Sequence, residues 1–328
     1  MSGRLVGCTM GDPTGIGPEI ILKACAGGEK VGESLLLLAD DEYLRGLAVE
    51  LELGLDLHTV SSTAECQQLL AAGRTGPWVL PCGRVEDGLA HGRPRPADGR
   101  IAFECIRRGA ELASGSDIAA LVTAPVSKRV VATQEPAFLG HTEMLARQAG
   151  IRHPLMLFVG PQPAVALLTT HLPLASAIVH VRRDRVLTAI STLHTGWTRW
   201  LGDQPRIGVA GLNPHAGEGG LLGIEEEREL LPAIAAAREK GLQVSGPYPA
   251  DSIFRRTDID AVLALYHDQG TIIAKRAPEV SVNLTLGLPY PRTSPDHGVA
   301  YDIAGQGRAD PEPMRAALEL AGKLASRR

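Results

Sequence analysis

Three observations predict an α/β fold for this chain of 328 residues. Short apolar runs rich in Val, Ile and Leu recur along it, each run ends at Gly, Pro or polar residues, and most are followed by a stretch with helical spacing. Strand–helix alternation of that kind builds layered α/β structure with right-handed crossovers. Unbroken apolar runs, as opposed to alternating ones, suit parallel strands covered on both faces. A chain of this length predicts two packed lobes in place of one core.

Strands are expected near Leu5–Met10, Ser34–Ala39, Trp78–Leu80, Ile118–Thr123, Leu155–Val159, Val165–Thr170, Ile207–Leu212 and Ala261–Tyr266. Helices are expected over Pro18–Cys25, Arg100–Ala113, Thr142–Gln148, Val186–Trp200 and Glu225–Lys240. Gly241 stops the last of these, and Pro232 kinks or restarts it. Gly88–Gly99 crowds Gly, Pro and Arg together and reads as a surface loop.

Hydrophobic residues make up 44% and charged residues 21% of the chain, a globular and not a disordered balance. A net charge of −4 gives no field that would draw nucleic acid or an anionic membrane, so neither is expected as a partner. An anionic substrate must then be met by locally placed cations. The apolar stretch at the N-terminus is too short for a signal segment and is broken by Gly and Pro. No run approaches the ~18 apolar residues of a membrane span, and a cytoplasmic location is expected. The five cysteines lie in the first third without CxxC spacing, the pattern of free thiols in a reducing compartment.

Three histidines stand at or just beyond the C-terminal ends of expected strands: His171 after LLTT, His215 after GLNP and His267 after LALY. Ligands of open parallel sheets sit in the crevice beyond those ends. Three imidazoles converging there would hold a transition metal with positions left open for substrate. A lone histidine is more commonly a surface or hydrogen-bonding residue, and His58, His91, His153, His180 and His194 are read that way.

Gly11-Asp12-Pro13-Thr14-Gly15-Ile16-Gly17-Pro18 is a strand–loop–helix junction that meets neither the GxGxxG nor the P-loop pattern. A structural turn and a ligand-binding loop explain it equally well. Lys275, Asn283 and Arg292 follow the third histidine and could meet an anionic substrate. Gly140-His141-Thr142-Glu143 adds an imidazole, a hydroxyl and a helix start that favours anions. By composition alone each cation is an ordinary solvated residue; their interest comes from clustering around one site.

The ordered strings GDPTGIGPEI, VTAPVSK, GHTE, LNPHAGE, YHDQG, NLTLGLPYPRTS, DHG and DIAGQG resemble the 4-hydroxythreonine-4-phosphate dehydrogenase family of vitamin B6 biosynthesis. The resemblance runs from Gly11 to about Asp310 and extends to relatives acting on threonate or erythronate 4-phosphate, and more distantly to a dihydrodiol dehydrogenase. It implies two α/β/α lobes around a cleft, like isocitrate and isopropylmalate dehydrogenases, in a homodimer with shared active sites. Lobe limits of 1–130 plus 305–328, and 131–304, are expected. It further implies an NAD or NADP site without a Rossmann fingerprint and a divalent metal, zinc foremost, with Mg, Mn or Co as alternatives.

Carried over by resemblance, the metal ligands are His171, His215 and His267, and the substrate contacts His141, Thr142, Lys275, Asn283 and Arg292. Lys275 and Asp251 are the implied catalytic residues, with Asp251 and Asp268 as orienting carboxylates. Gly11, Asp12, Gly15, Gly287 and Asp296 are the implied nucleotide contacts. The implied reaction is oxidation of a C3 hydroxyl followed by loss of CO2, the metal acting as Lewis acid. Its substrate is 4-phosphohydroxy-L-threonine, giving 3-amino-2-oxopropyl phosphate, or else D-threonate or D-erythronate 4-phosphate, giving dihydroxyacetone phosphate. A non-catalytic phosphometabolite-binding protein is the alternative of another class. The chain departs from the family pattern at Val299 after DHG, at Pro295, and in KRAPEVSVN over 275–283.

Overall fold

The computed structural model describes residues 4–27, 34–160, 162–276 and 279–328. The chain forms two compact units: Met1–Gly150 with Leu288–Arg328, and Ile151–Gly287. In chain order the first unit carries β1 (Val6–Thr9), α1 (Gly17–Ala26), β2 (Leu35–Ala39), α2 (Asp41–Glu50), β3 (His58–Thr59), α3 (Thr63–Ala71), β4 (Trp78–Pro81), α4 (Pro96–Ser114), β5 (Ala120–Thr123), α5 (Lys128–Ala132) and α6 (His141–Gln148). The second carries β6 (Leu155–Val159), β7 (Ala164–Leu167), α7 (Leu174–Val179), α8 (Arg183–Trp200), β8 (Ile207–Ala210), α9 (Leu231–Glu239), β9 (Val244–Tyr248), β10 (Ala261–Ala264), α10 (His267–Arg276) and β11 (Val282–Leu286). The chain then returns to the first unit with β12 (Arg292–Pro295) and α11 (Glu312–Ala325).

The strands of the first unit run β3-β4-β2-β1-β5-β12, and every neighbouring pair is parallel. Side-chain alternation sends the two faces to different helices. Thr9, Leu38 and Leu121 face α4, where Gly109 lets the helix approach; a Cβ there would lie 2.8 Å from Leu121 Cδ1 and 3.0 Å from Leu38 Cδ1. Thr293 points the other way, and its hydroxyl donates to the Ala317 carbonyl of α11. β1, β2 and β5 are therefore buried throughout, which is why they read as continuous apolar runs.

The strands of the second unit run β11-β6-β7-β10-β8-β9. β7, β10, β8 and β9 are parallel, whereas β6 pairs antiparallel with both β7 and β11. α10 covers the face bearing Val165 and Leu167, and α8 packs on the opposite face against Leu286 through Gly196.

Several sequence expectations need correction. The lobe limits fall at Gly150 and Leu288, not at 130 and 304, because α6 packs on α4 and β12 pairs with β5 and packs on α11. The strands β3, β9, β11 and β12 and the helices α2, α3, α5, α7, α10 and α11 were outside the expected set. Gly88–Gly99 is not wholly a loop: α4 starts at Pro96, where Asp98 bonds back to the Arg95 backbone, and Asp98 and Gly99 are buried. The break at Pro232 takes the form of a π turn over Glu226–Leu230 that runs into α9. All five cysteines are free, and no helix among the described residues is long and apolar enough to cross a membrane.

Candidate active site

In the second unit, β7 and β10 run in register, Leu167 opposite Ala264, and stay bonded past their ends. The Leu168 N–H donates to Ala264 O at 2.8 Å and the Thr169 hydroxyl to Leu265 O at 2.9 Å. The two chains therefore leave the sheet side by side, and His171 and His267 meet with ring centroids 5.7 Å apart and planes at 44°. His267 opens α10, and its Nδ1 lies 2.6 Å from Asp268 Oδ1, which directs Nε2 away from the carboxylate. Gln269 ties this corner to the neighbouring strand: its Oε1 accepts from Leu265 N–H and its Nε2 donates to Gly211 O. Gly270 lets α10 sit close, since a Cβ there would lie 2.5 Å from Leu167 Cδ2. Each residue of the string YHDQG from His267 onward thus has a local task.

His215 follows β8 in a tight turn, Pro214–Gly217. Backbone φ is 52° at His215, 53° at Ala216, 81° at Gly217 and 44° at Glu218, four left-handed residues in succession. Outside glycine that conformation costs about 1–2 kcal/mol per residue. The ring is largely exposed, with Nδ1 3.3 Å from Glu218 Oε2. Among the described residues no three His, Cys, Asp or Glu side chains gather closely enough to enclose an ion. The structure therefore brings His171 and His267 together and leaves His215 apart from them.

Asn283 lies on β11 with its Oδ1 buried and without a hydrogen-bond partner. Lys275 stands exposed in the last turn of α10. Asp251 is exposed in the turn after β9, whose end is tied to β8 by the Gly211 N–H bond to Tyr248 O. Residues 277 and 278 of the divergent segment 275–283 lie outside the described residues.

In the first unit, Arg292 at the head of β12 is paired with Leu121 and is 3% exposed. Thr123 is two residues on along the same face of β5, and its hydroxyl accepts from Arg292 Nε at 3.1 Å and also from Nη2. Burial lowers the guanidinium to about 10, an effect the Glu143 carboxylate opposes, so it stays charged at neutral pH. His141 opens α6 behind Gly140, against Phe138 edge-on at 6.1 Å. Its Nε2 is inaccessible and has no hydrogen-bond partner. Burial first, and the positive charges of Arg292 and Lys128 second, hold this imidazole well below the ordinary histidine range, hence neutral. Glycine suits position 140 because its φ of 151° is a conformation that residues with a Cβ rarely adopt. A buried guanidinium, a neutral imidazole, a nearby ammonium and a helix start suit a phosphate or carboxylate. Thr123 and Lys128 were not singled out as contacts in the sequence; VTAPVSK, which holds both, was the available signal.

The glycine loop after β1 is closed upon its own unit. Asp12 N–H donates to Pro125 O, Gly15 N–H to Asp12 O, Ile16 N–H to Val299 O and Thr14 N–H to Asp12 Oδ1. The Asp12 carboxylate also accepts from the Thr14 and Tyr301 hydroxyls. A Cβ at Gly11 would lie 2.5 Å from Pro125 O, and one at Gly15 2.9 Å from Val299 O. These glycines serve close internal packing, and four loop amides already have protein acceptors. Gly287 is exposed with φ 93° and Asp296 is half-buried beyond β12.

Residues 32–321 match the family model described as pyridoxal phosphate biosynthetic protein PdxA. A 4-hydroxythreonine-4-phosphate dehydrogenase of Beijerinckia indica subsp. indica is 40% identical over 96% of this chain and 94% of its own. A D-threonate 4-phosphate dehydrogenase of Cupriavidus necator is also 40% identical, over 99% of this chain and 98% of its own. The crystal structure of 4-hydroxythreonine-4-phosphate dehydrogenase from Klebsiella pneumoniae superposes with a TM-score of 0.87 at 37% identity, covering 98% of this chain and 99% of that one. The expected α/β class agrees with that likeness.

Proposed function

The chain belongs to the PdxA family of dehydrogenases, and from that premise we propose that it oxidatively decarboxylates 4-phosphohydroxy-L-threonine, with NAD or NADP and a divalent metal. The products are 3-amino-2-oxopropyl phosphate and CO2. The observation that carries the reading is the His171–His267 pair. Metal–nitrogen bonds of about 2.0–2.1 Å put two imidazoles sharing one ion roughly 5–6 Å apart between centroids, as these are. A carboxylate behind one ring is the usual support of a metal-bound histidine. Zinc suits such donors, with Mg, Mn or Co as alternatives, and His215 is the third donor of the proposed set.

A divalent ion held there would act as a Lewis acid on the substrate's C3 oxygen, while the nicotinamide would take the C3 hydride. The chain's own residues orient and hold. Arg292, held by Thr123, meets an anionic end of the substrate, and neutral His141 donates from Nε2 to the phosphate. Thr142 supplies a hydroxyl at the same helix start. Lys275 meets an anionic end of the substrate and Asn283 Oδ1 accepts a substrate hydrogen. Asp251 orients the metal side. The 3-oxo acid produced then loses CO2 because the new carbonyl can accept the electron pair of the breaking bond. Gly287 and Asp296 meet the nucleotide, and Gly11, Asp12 and Gly15 shape the wall it lies on.

The likeness to a D-threonate 4-phosphate dehydrogenase at the same identity supports a second reading: the same chemistry on D-threonate or D-erythronate 4-phosphate. The two readings differ in an amino group against a hydroxyl at C2. A site built to bond one group rejects the other strongly, because its own polar partner is left unpaired. Steady-state NAD(P) reduction on both substrate types tests the assignment. A preference for the threonate by kcat/KM would overturn the first reading, and no turnover of either, with metal supplied, would overturn both.

A homodimer belongs to the same proposal. Leu172, Leu174, Ile178 and Val179, along and just before α7, are 41–60% exposed, an apolar surface suited to a second copy. Sedimentation at micromolar concentration tests it, and a monomer there would count against it. A cytoplasmic location completes the reading.

A further inference from the structure

Two of the five cysteines meet on the face of the first sheet that α4 covers. Leu38 of β2 is paired with Leu80 of β4 on that face, and Cys82, two residues beyond Leu80, points the same way. Its N–H donates to Ala39 O at 3.0 Å, which carries the pairing of β4 with β2 one step past the strand. α4 lays the row Ile101, Cys105 and Gly109 along this surface, each four residues from the next. Ile101 Cδ1 lies 3.5 Å from where a Cβ on Gly83 would be, and a Cβ on Gly109 would lie 3.0 Å from Leu38 Cδ1. Cys105, midway between these contacts and fully buried, therefore comes down beside Cys82, and the two thiols hydrogen-bond to each other. We propose that Cys82 and Cys105 form a peroxide-sensitive thiol pair, in which Cys82 reacts first and Cys105 closes a reversible disulfide.

The two sulfurs differ as this chemistry requires. Cys82 is half-buried, and the hydrogen bond from Cys105 lowers its thiol; burial opposes that, and the Arg108 and Arg107 guanidiniums add to it against Glu104. The same bond, with burial, holds the Cys105 thiol well above its ordinary range, so it keeps its proton. The other three cysteines lack this setting. Burial pushes Cys25 up to about 12 and Cys66 up to about 11, and raises Cys8 as well. An accessible, lowered thiol beside a resolving thiol is the arrangement that reacts with peroxide and stops at a disulfide. The Cys82 thiolate gives an electron pair to one oxygen of hydrogen peroxide, the O–O bond breaks, and hydroxide leaves to become water. Cys105 Sγ then attacks the sulfenic sulfur of Cys82. The S–S bond forms, the S–O bond breaks, and the Cys105 proton leaves with the hydroxide as a second water. The sulfurs together lose two electrons, which the peroxide oxygens gain, and a dithiol reductant reverses the change. The bond rings residues 83–104, the stretch whose Gly92 N–H holds Thr14 O of the glycine loop.

The test oxidises the full chain with a small excess of hydrogen peroxide at neutral pH, blocks free thiols with iodoacetamide, and maps the peptides by mass spectrometry. A crosslink between the Cys82 and Cys105 peptides is expected, removed by dithiothreitol, with Cys8, Cys25 and Cys66 still thiols. In the unoxidised protein, iodoacetamide should label Cys82 roughly tenfold or more faster than Cys25, which is also half-buried. Cys105→Ala removes the resolving thiol, so dimedone should trap a sulfenic acid at Cys82 and prolonged peroxide should carry it to sulfinic acid. If Cys105→Ala does not fold, Cys105→Ser carries the same comparison. Cys82→Ser should leave Cys105 unoxidised. A crosslink between other cysteines, sulfinic acid at Cys82 of the unaltered protein without a crosslink, or labelling of Cys82 no faster than Cys25 overturns the proposal.

Discussion

Arg292 and Thr123 meet across neighbouring parallel strands, the guanidinium donating through both Nε and Nη2 to one threonine hydroxyl. A fully buried cation is costly unless its donors are used, and the Thr123 hydroxyl takes up two of them. The contact orients the guanidinium. Arg292→Lys should therefore raise KM for the phosphorylated substrate roughly ten- to hundredfold, because an ammonium lacks the planar fork. Thr123→Val should raise KM less and cost about 1–3 kcal/mol of stability by stranding buried donors. Steady-state kinetics and urea unfolding measure the two effects, and an unchanged KM in Arg292→Lys would remove the residue from substrate binding.

His171→Ala and His267→Ala should each abolish zinc binding and NAD(P) reduction while preserving far-UV circular dichroism. Asp268→Asn is milder, because the ring stays and only its orienting carboxylate is lost; zinc affinity should fall roughly ten- to hundredfold. Chelator treatment of the unaltered protein should reproduce the loss, and zinc should restore it. Full activity in either histidine variant would refute the metal pair.

His141 makes the apo protein acid-sensitive. Its imidazole is depressed well below the usual range by burial and by Arg292 and Lys128. An unfolded chain takes up a proton near about pH 6.5 that the folded chain refuses. The neutral ring's contribution is therefore complete above that pH and is lost as pH falls through the depressed folded pKa. The urea midpoint should drop more steeply on acidification in the unaltered protein than in His141→Gln. Inorganic phosphate should flatten the drop, since a bound anion favours the protonated ring. Parallel curves for the two proteins would contradict the desolvated environment.

Gly270→Ala tests how closely α10 must sit. The new methyl would meet Leu167 Cδ2 at 2.5 Å, Val165 Cγ1 at 2.8 Å and Ala264 Cβ at 3.0 Å. Overpacking of this kind costs about 1–3 kcal/mol. The displaced helix carries both His267 and Lys275, so kcat/KM should fall together with the urea midpoint. Lost stability with intact kcat/KM would mean that α10 can shift without moving the site.

Eight strands could be read from the sequence: β1, β2, β5, β7, β8 and β10, whose apolar character comes from burial on both faces, and β4 and β6, which are buried over most of their length. β12 reads RTSP and β11 reads VNLTL, and each becomes a strand by pairing with a neighbour remote in sequence. β9 contains Gly246 and Pro247 and was invisible for the same reason. The strand-end position of His171 and His267 could be read because a histidine that directly follows an apolar run must emerge at the edge of the sheet.

By itself, then, the sequence determined the α/β class and the expectation of three histidines, His171, His215 and His267, at or just beyond strand ends, since both depend only on the order of apolar and polar residues along the chain. Three outcomes belonged to the tertiary structure. β6 and β11 run antiparallel, His215 stands apart from the other two histidines on a left-handed turn, and the glycine loop after β1 directs its amides inward. Each depends on partners distant in sequence, Glu226 for the turn and Pro125 and Val299 for the loop, and the energy of those contacts has no signature in local periodicity.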